Sequence, residues 1–185
     1  NGVGEAISAF KSGRPVMIYD SDYREMETDL LWHAAAATPE VIRRLRNDCG
    51  GLLFLAIGNE IGEMFGLPWL QDIHSHESLV AENPVLGHLV TNDLQYDSRS
   101  AFTLSLNHRE TYTGITDRDR PLTTRRFGEL SGELIENGED GAKAKESLGK
   151  EFRTPGHIPV CRESPGGLKT RQGHTELAVS IARLA

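Results

Sequence analysis

Thr38-Pro39-Glu40-Val41-Ile42-Arg43-Arg44-Leu45-Arg46-Asn47-Asp48-Cys49-Gly50-Gly51-Leu52-Leu53-Phe54-Leu55-Ala56-Ile57 reads as a helix followed at once by a strand. Thr38 is an N-cap, Pro39 a first-turn proline and Glu40 a first-turn acid. Val41, Ile42 and Leu45 give the helix an apolar stripe, and Gly50-Gly51 stops it. Leu52 to Ile57 is then an apolar run of strand length. A helix and a strand joined by two glycines set the expectation of a fold that uses both elements.

Working outward, Val3, Ala6, Ile7 and Phe10 recur at helical spacing, with Gly13 as a stop. Pro15 to Tyr19 predicts a short buried strand, and Asp20 to Asp29 an acidic loop at its end. Leu30 to Ala37 fits either strand or helix. Ile61, Met64 and Phe65 predict a short helix ended by Gly66, and residues 67 to 100 a long polar excursion or lid. Phe102, Leu104 and Leu106 alternate with Thr103, Ser105 and Asn107, the pattern of a half-buried strand. Asp119 is placed to cap a helix over Leu122, Arg126 and Leu130. Residues 131 to 149 hold four glycines and many charges and predict a surface insertion. Ile158 and Val160 mark a strand, Ser164-Pro165-Gly166-Gly167 a turn, and Leu177, Ala178, Ile181 and Leu184 a last helix starting near His174. Strands and helices mix without a strict βαβ rhythm, and there is no internal repeat. The expectation is α+β: a single domain over residues 1–185, with a mixed β-sheet flanked by helices in layers.

The 185 residues suffice to bury a core, and hydrophobic (38%) and charged (25%) fractions are ordinary for a globular chain. A formal net charge of −7 speaks against nucleic-acid or anionic-membrane partners. It leaves room for a phosphorylated substrate in a locally basic pocket. Cys49 and Cys161 form no CxxC, so free thiols and a cytoplasmic location are expected. No apolar run reaches about 18 residues, and residues 1 to 10 lack the features of a signal peptide. The chain has no initiator Met.

Chemistry concentrates in a few segments. Asp20-Ser21-Asp22-Tyr23-Arg24-Glu25-Met26-Glu27-Thr28-Asp29 carries five carboxylates in ten residues. They repel one another unless a cation sits among them, and magnesium needs only one or two such ligands. If the segment is extended, Glu25, Glu27 and Asp29 share one face and Arg24 takes the other. A solvated acidic loop is the alternative. Arg171-Gln172-Gly173-His174-Thr175-Glu176 opens the last helix, where free N–H groups and Arg171 suit a phosphate and His174 a metal. The plain alternative is an N-cap box with Thr175 as cap and His174 exposed.

Arg153-Thr154-Pro155-Gly156-His157 is either a rigid mount for His157 or merely a turn before a strand. Thr113-Gly114-Ile115-Thr116-Asp117-Arg118-Asp119-Arg120 combines hydroxyls and charges that suit a polyol, or equally a capping salt-bridge cluster. His74-Ser75-His76 reads as surface histidines. Walker, GxGxxG and GxSxG motifs are absent.

The order of these segments resembles the 3,4-dihydroxy-2-butanone 4-phosphate synthase family, from about Ala6 to Ala185, with an archaeal flavour. Thr38-Pro39-Glu40, Asp48-Cys49-Gly50-Gly51 and Ser105-Leu106-Asn107-His108-Arg109 are similar to it as well. The resemblance implies conversion of D-ribulose 5-phosphate to L-3,4-dihydroxy-2-butanone 4-phosphate and formate with Mg2+, or Mn2+ in its place. It implies Glu25 and His174 as metal ligands, and Arg24, Glu25 and Asp29 against the sugar. Arg171, Gln172, Gly173, His174 and Thr175 would hold the phosphate, Thr113 would also contact substrate, and His157 would be catalytic. Glu27 and Asp29 are candidates for the first proton acceptor. It further implies a homodimer with active sites at the interface.

Two departures stand out. Met26 replaces a small or polar residue, and the family continues past the last helix to a further glutamate. The competing expectations are a non-catalytic nucleotide- or RNA-binding module, an inactive paralogue of the same fold, or a different magnesium-dependent sugar-phosphate enzyme.

Overall fold

The computed structural model describes residues 2–139 and 141–185. In chain order, α1 (Gly2–Lys11) leads into an antiparallel hairpin of β1 (Val16–Tyr19) and β2 (Thr28–Leu31). A turn of 3-10 helix at Ala34–Ala36 precedes α2 (Pro39–Asp48), β3 (Leu55–Ile57) and α3 (Asn59–Phe65). The short helices α4 (Leu70–His74), α5 (Glu77–Glu82) and α6 (Val85–His88) come next, then β4 (Phe102–His108). The chain finishes with α7 (Asp119–Glu136), α8 (Gly141–Glu151), β5 (Phe152–Arg162) and α9 (His174–Leu184).

β5 is the centre of a three-stranded mixed sheet, with β3 parallel on one side and β4 antiparallel on the other. A central strand is hydrogen-bonded along both edges, which suits its buried Ile158 and Val160, each 1% exposed. Phe65, Leu106, Phe127, Leu130, Phe152 and Ile158 belong to the core between this sheet and α7. α9 packs against α1 and β3, and so brings the last helix back beside the first hairpin. The result is an α+β fold with a mixed sheet and flanking helices, as the sequence predicts.

In the N-terminal half α2 follows its sequence signals, but β1 is not the buried strand expected: Val16 is buried while Met17 and Tyr19 are exposed, because a two-stranded hairpin leaves one face to solvent. Thr38 Oγ1 accepts the Val41 N–H at 3.2 Å, and Pro39 starts α2. Leu30 to Ala37 divides between strand and 3-10 turn.

Several expectations are corrected. Residues 131 to 149 are not a surface insertion: α7 runs to Glu136 and α8 starts at Gly141, while Asp140 lies outside the described residues. Leu134 is 3% exposed and Ala144 0%. A helix contact made through a small alanine leaves little trace in hydropathy among so many glycines and charges. Residues 67 to 100, expected as a polar excursion or lid, carry the three short helices α4, α5 and α6. Trp69 anchors them, with the Arg99 guanidinium 4.0 Å from its ring centre and that of Arg162 at 5.0 Å.

The alternation in β4 also inverts at its start. Thr103 is buried and donates to the Val160 carbonyl at 2.9 Å, while Phe102 is exposed. A hydroxyl with a backbone partner is as well satisfied inside as a phenyl ring.

Asp119 is the first residue of α7, and its carboxylate faces back along the chain rather than capping the helix. It accepts the N–H groups of Tyr112, Thr113 and Gly114 at 3.2, 3.1 and 2.8 Å. Burial opposes ionisation there, but these backbone donors outweigh it and hold the carboxyl below the usual carboxylate range. Asp119→Ala leaves three N–H groups without an acceptor, and we expect a loss of about 2–4 kcal/mol. Urea unfolding measures it, and a loss below about 1 kcal/mol would show that water replaces the carboxylate.

Candidate active site

The acidic segment after β1 is a turn up to Glu27, and only Thr28 and Asp29 at its end are extended, on β2. Asp20 organises it: Oδ2 accepts the Glu25 N–H at 2.8 Å and Oδ1 accepts the Glu27 N–H at 3.1 Å. Burial opposes the Asp20 charge, yet backbone donors from Ser21, Glu25 and Glu27 prevail and keep its pKa low. Met26 sits between the two donors in the left-handed region, at φ 56°. A non-glycine residue there is held by its surroundings. The sharp turn cancels the alternation expected for Glu25, Glu27 and Asp29. Arg24 does not face away from Glu25 but donates to its Oε1 at 2.9 Å. Met26 itself is 64% exposed, so its side chain points to solvent and does not dry the cluster.

α9 supplies the facing wall. His174 is 8% exposed, and Thr175, Glu176 and Gly173 are buried too. Gly173, not Thr175, is the N-cap, which corrects the capping-box alternative, as the burial of His174 corrects its exposure. A Cβ at Gly173 would lie 2.3 Å from Arg171 Nη1, so a side chain there would displace the guanidinium from its place.

His174 Nε2 lies 3.0 Å from the Glu27 carbonyl. A carbonyl only accepts, so Nε2 carries the proton and donates. Nδ1 then turns its lone pair toward Glu25 Oε2, 3.4 Å away. Two acceptors facing each other need a positive charge between them, either a proton or a metal cation. One ligand atom each from Asp20, Glu25 and His174 lies within 4.8 Å of the others. Carboxylate oxygens with one imidazole fit a hard divalent ion, and a histidine held by a carbonyl at its other nitrogen is the usual outer support of such a site. Asp20 is the member that spacing alone did not single out.

A chain of charges adjoins this cluster. Arg24 Nη2 and Arg171 Nη2 both donate to Asp97 Oδ2, at 2.7 and 2.9 Å. Arg171 Nη1 also donates to Glu176 Oε2 at 2.6 Å, and Glu176 Oε1 accepts the Ser164 N–H at 2.9 Å. Burial weakens the Arg171 charge, but Asp97 and Glu176 overcome this and raise its pKa further. Two guanidiniums from opposite ends of the chain converge here, an arrangement suited to an anionic group. Asp97 had no readable signal, because it matters only through partners remote in sequence, and Glu176 stood in a legible segment without its buried pairing to Arg171 being readable.

Asp29 lies on β2 in the same cleft as Glu25, Glu27, Arg171 and His174. Burial raises the Asp29 carboxyl above the ordinary range, countered by His174 and reinforced by Glu27, Glu25 and Asp20. Gln172 is exposed. Thr113 is set apart from the acidic cluster: its N–H goes to Asp119 and its carbonyl faces Asn107.

His157 does not precede the strand but sits inside it. Leu106 pairs with Ile158 while the next residue, Asn107, pairs with Arg153, so residues 154–157 bulge out of β5. Bulges of this kind re-aim side chains beside functional sites. The bulge is pinned by Thr154 Oγ1 donating to the Ser105 carbonyl at 2.8 Å and the Gly156 N–H donating to Ser105 Oγ at 3.1 Å. A Cβ at Gly156 would lie 2.0 Å from the Leu106 carbonyl carbon, which is why glycine follows Pro155.

Comparison with known proteins bears on what this cleft serves. The sequence model of the 3,4-dihydroxy-2-butanone 4-phosphate synthase family matches residues 4–185. The chain belongs to that family. The synthase of Methanothermobacter thermautotrophicus is 40% identical over 183 residues, covering 99% of this chain and 75% of the relative. That of Methanosarcina mazei is 40% identical over 185 residues, covering 99% and 72%. A solved 3,4-dihydroxy-2-butanone 4-phosphate synthase in complex with two magnesium ions superposes with a TM-score of 0.69 at 27% identity. It spans 98% of this chain and 69% of its own. The fold and the enzyme class, a synthase of riboflavin biosynthesis, follow from this membership. Both cysteines are free, and no helix among the described residues is long and apolar enough to cross a membrane.

Proposed function

We propose that the chain converts D-ribulose 5-phosphate to L-3,4-dihydroxy-2-butanone 4-phosphate and formate, dependent on magnesium, with manganese as a substitute. The observation that carries this reading is the lone pair of His174 Nδ1 facing Glu25 Oε2 beside Asp20, next to two converging guanidiniums. Glu25 and His174 hold the ion and Asp20 borders it. Bound there, a divalent cation stabilises negative charge developing on sugar oxygens.

The remaining work falls to side chains. Arg171 and the start of α9, through Gln172, Gly173 and Thr175, bind the phosphate and thereby fix the carbons to be rearranged. Arg24, Glu25, Asp29 and Thr113 orient the sugar hydroxyls. Enolisation, water loss and release of one carbon each need protons moved at defined atoms, a task for Glu27, Asp29 and His157. The enzyme acts as a homodimer with active sites at the interface, so His157 and His174 of one site come from different subunits. The described residues form one domain, for which this reading expects a cytoplasmic location.

Purified protein supplied with D-ribulose 5-phosphate and magnesium is expected to release one formate per substrate, and chelation to stop it. Formate that persists after exhaustive chelation removes the metal from the proposal. Turnover without formate, followed by carbon NMR, points instead to an isomerase or aldolase.

A further inference from the structure

The ring of His157 meets Asn107, a residue to which the proposed chemistry assigns nothing. Asn107 is 4% exposed. Its Oδ1 accepts the backbone N–H of His157 at 2.8 Å. Its Nδ2 lies 3.1 Å from His157 Nδ1 and 3.5 Å from the Thr113 carbonyl oxygen. The pocket around this amide is tight, since a Cβ at Gly114, itself at φ +99°, would lie 2.2 Å from Nδ2.

These contacts settle the orientation of the amide. Turned over, its NH2 group would face the His157 N–H, donor against donor. With Oδ1 fixed on that N–H, Nδ2 has two hydrogens and two neighbours, the Thr113 carbonyl and His157 Nδ1. The carbonyl only accepts. Nδ1 must also accept, or its own hydrogen would confront an Nδ2 hydrogen across 3.1 Å. Oδ1 lies 3.2 Å from Nδ1 and offers a competing acceptor, but using it would leave that clash in place.

We infer that Asn107 is a positioning residue that locks His157 in the neutral tautomer with its proton on Nε2. The lock has a chemical consequence that rests on the proposed catalytic role of His157. A ring whose Nδ1 lone pair is occupied offers an N–H rather than a free lone pair. It therefore donates to a substrate oxygen, as a neutral imidazole electrophile does, and is not the base that takes the first proton. That first step falls to a carboxylate of the cleft.

The test is nitrogen NMR of the full chain labelled in histidine, followed by kinetics of Asn107→Asp and Asn107→Ala. In the wild type, His157 should show a protonated Nε2 and an unprotonated Nδ1; a protonated Nδ1 overturns the inference, whatever the variants do. Aspartate at position 107 only accepts, so it should move the proton to Nδ1. It should lower kcat by about tenfold or more with KM changed less than about twofold, because a correctly presented proton contributes about 10²–10⁴ to rate. The acid limb of the rate profile should rise by about one pH unit as a carboxylate favours the charged ring. Asn107→Ala should lower kcat without that displacement. A tautomer switch with unchanged kcat and pH profile sinks the positioning role. If the wild-type tautomer is as inferred and His157→Ala still releases formate at the normal rate, the catalytic reading of His157 fails while the lock stands.

Discussion

Glu25→Gln and His174→Ala are each expected to weaken magnesium binding by about a hundredfold or more, since loss of even an outer support costs about 10–100-fold. Turnover should fall with it, and calorimetric titration of the purified variants with magnesium measures the affinity directly. The geometry explains why both matter. Glu25 supplies an oxygen on a turn fixed by Asp20, and His174 supplies a nitrogen whose tautomer is set by the Glu27 carbonyl. Folding should be little changed by Glu25→Gln, because Glu25 is partly exposed and its backbone N–H, not its side chain, holds the turn. A variant that stays folded and binds magnesium normally would falsify the ligand assignment. Asp20→Asn disturbs both roles of that residue, since its NH2 would face one of the two turn N–H groups while the charge beside the ion is lost.

Glu176→Ala is expected to be the most damaging single change in stability. Glu176 is 0% exposed and pairs with Arg171, itself 15% exposed in its side chain. Removing one partner of a buried ion pair strands the other, at a cost of about 3–5 kcal/mol. For a chain of this size that lowers Tm by roughly 6–20 °C, measurable by calorimetry. The Ser164 N–H loses its acceptor in the same step. Arg171 is also one of the two guanidiniums gathered at Asp97, so substrate affinity should fall together with stability. Glu176→Gln keeps the shape and an acceptor for Ser164, and should recover part of the stability but less of the affinity. A Glu176→Ala protein with unchanged Tm would mean that Arg171 finds full compensation elsewhere, in Asp97 or in water.

Helix starts and apolar runs were legible in the sequence, but the local turns closed by Asp20 and Asp119 were not, because a carboxylate's choice of backbone donors leaves no mark in hydropathy. Thr38 and Pro39 start α2 through bonds within one turn, and the apolar runs become β1, β3 and β5. The fold class followed from such local signals, and the resemblance carried by Arg24 to Asp29 and Arg171 to Glu176 pointed to the family that the comparisons show. The tertiary structure alone decided what depends on distant partners. Glu25 meets His174 across almost the whole chain because α9 returns to the first hairpin. Asp97 gathers two arginines from either end, and Asn107 reaches His157 only because β4 pairs with β5 around a bulge. An acid is a ligand, a lock or a solvated charge according to which lone pairs and donors the fold sets against it. Hydropathy and spacing report local geometry and burial tendency; they do not report which groups the fold brings within hydrogen-bond reach.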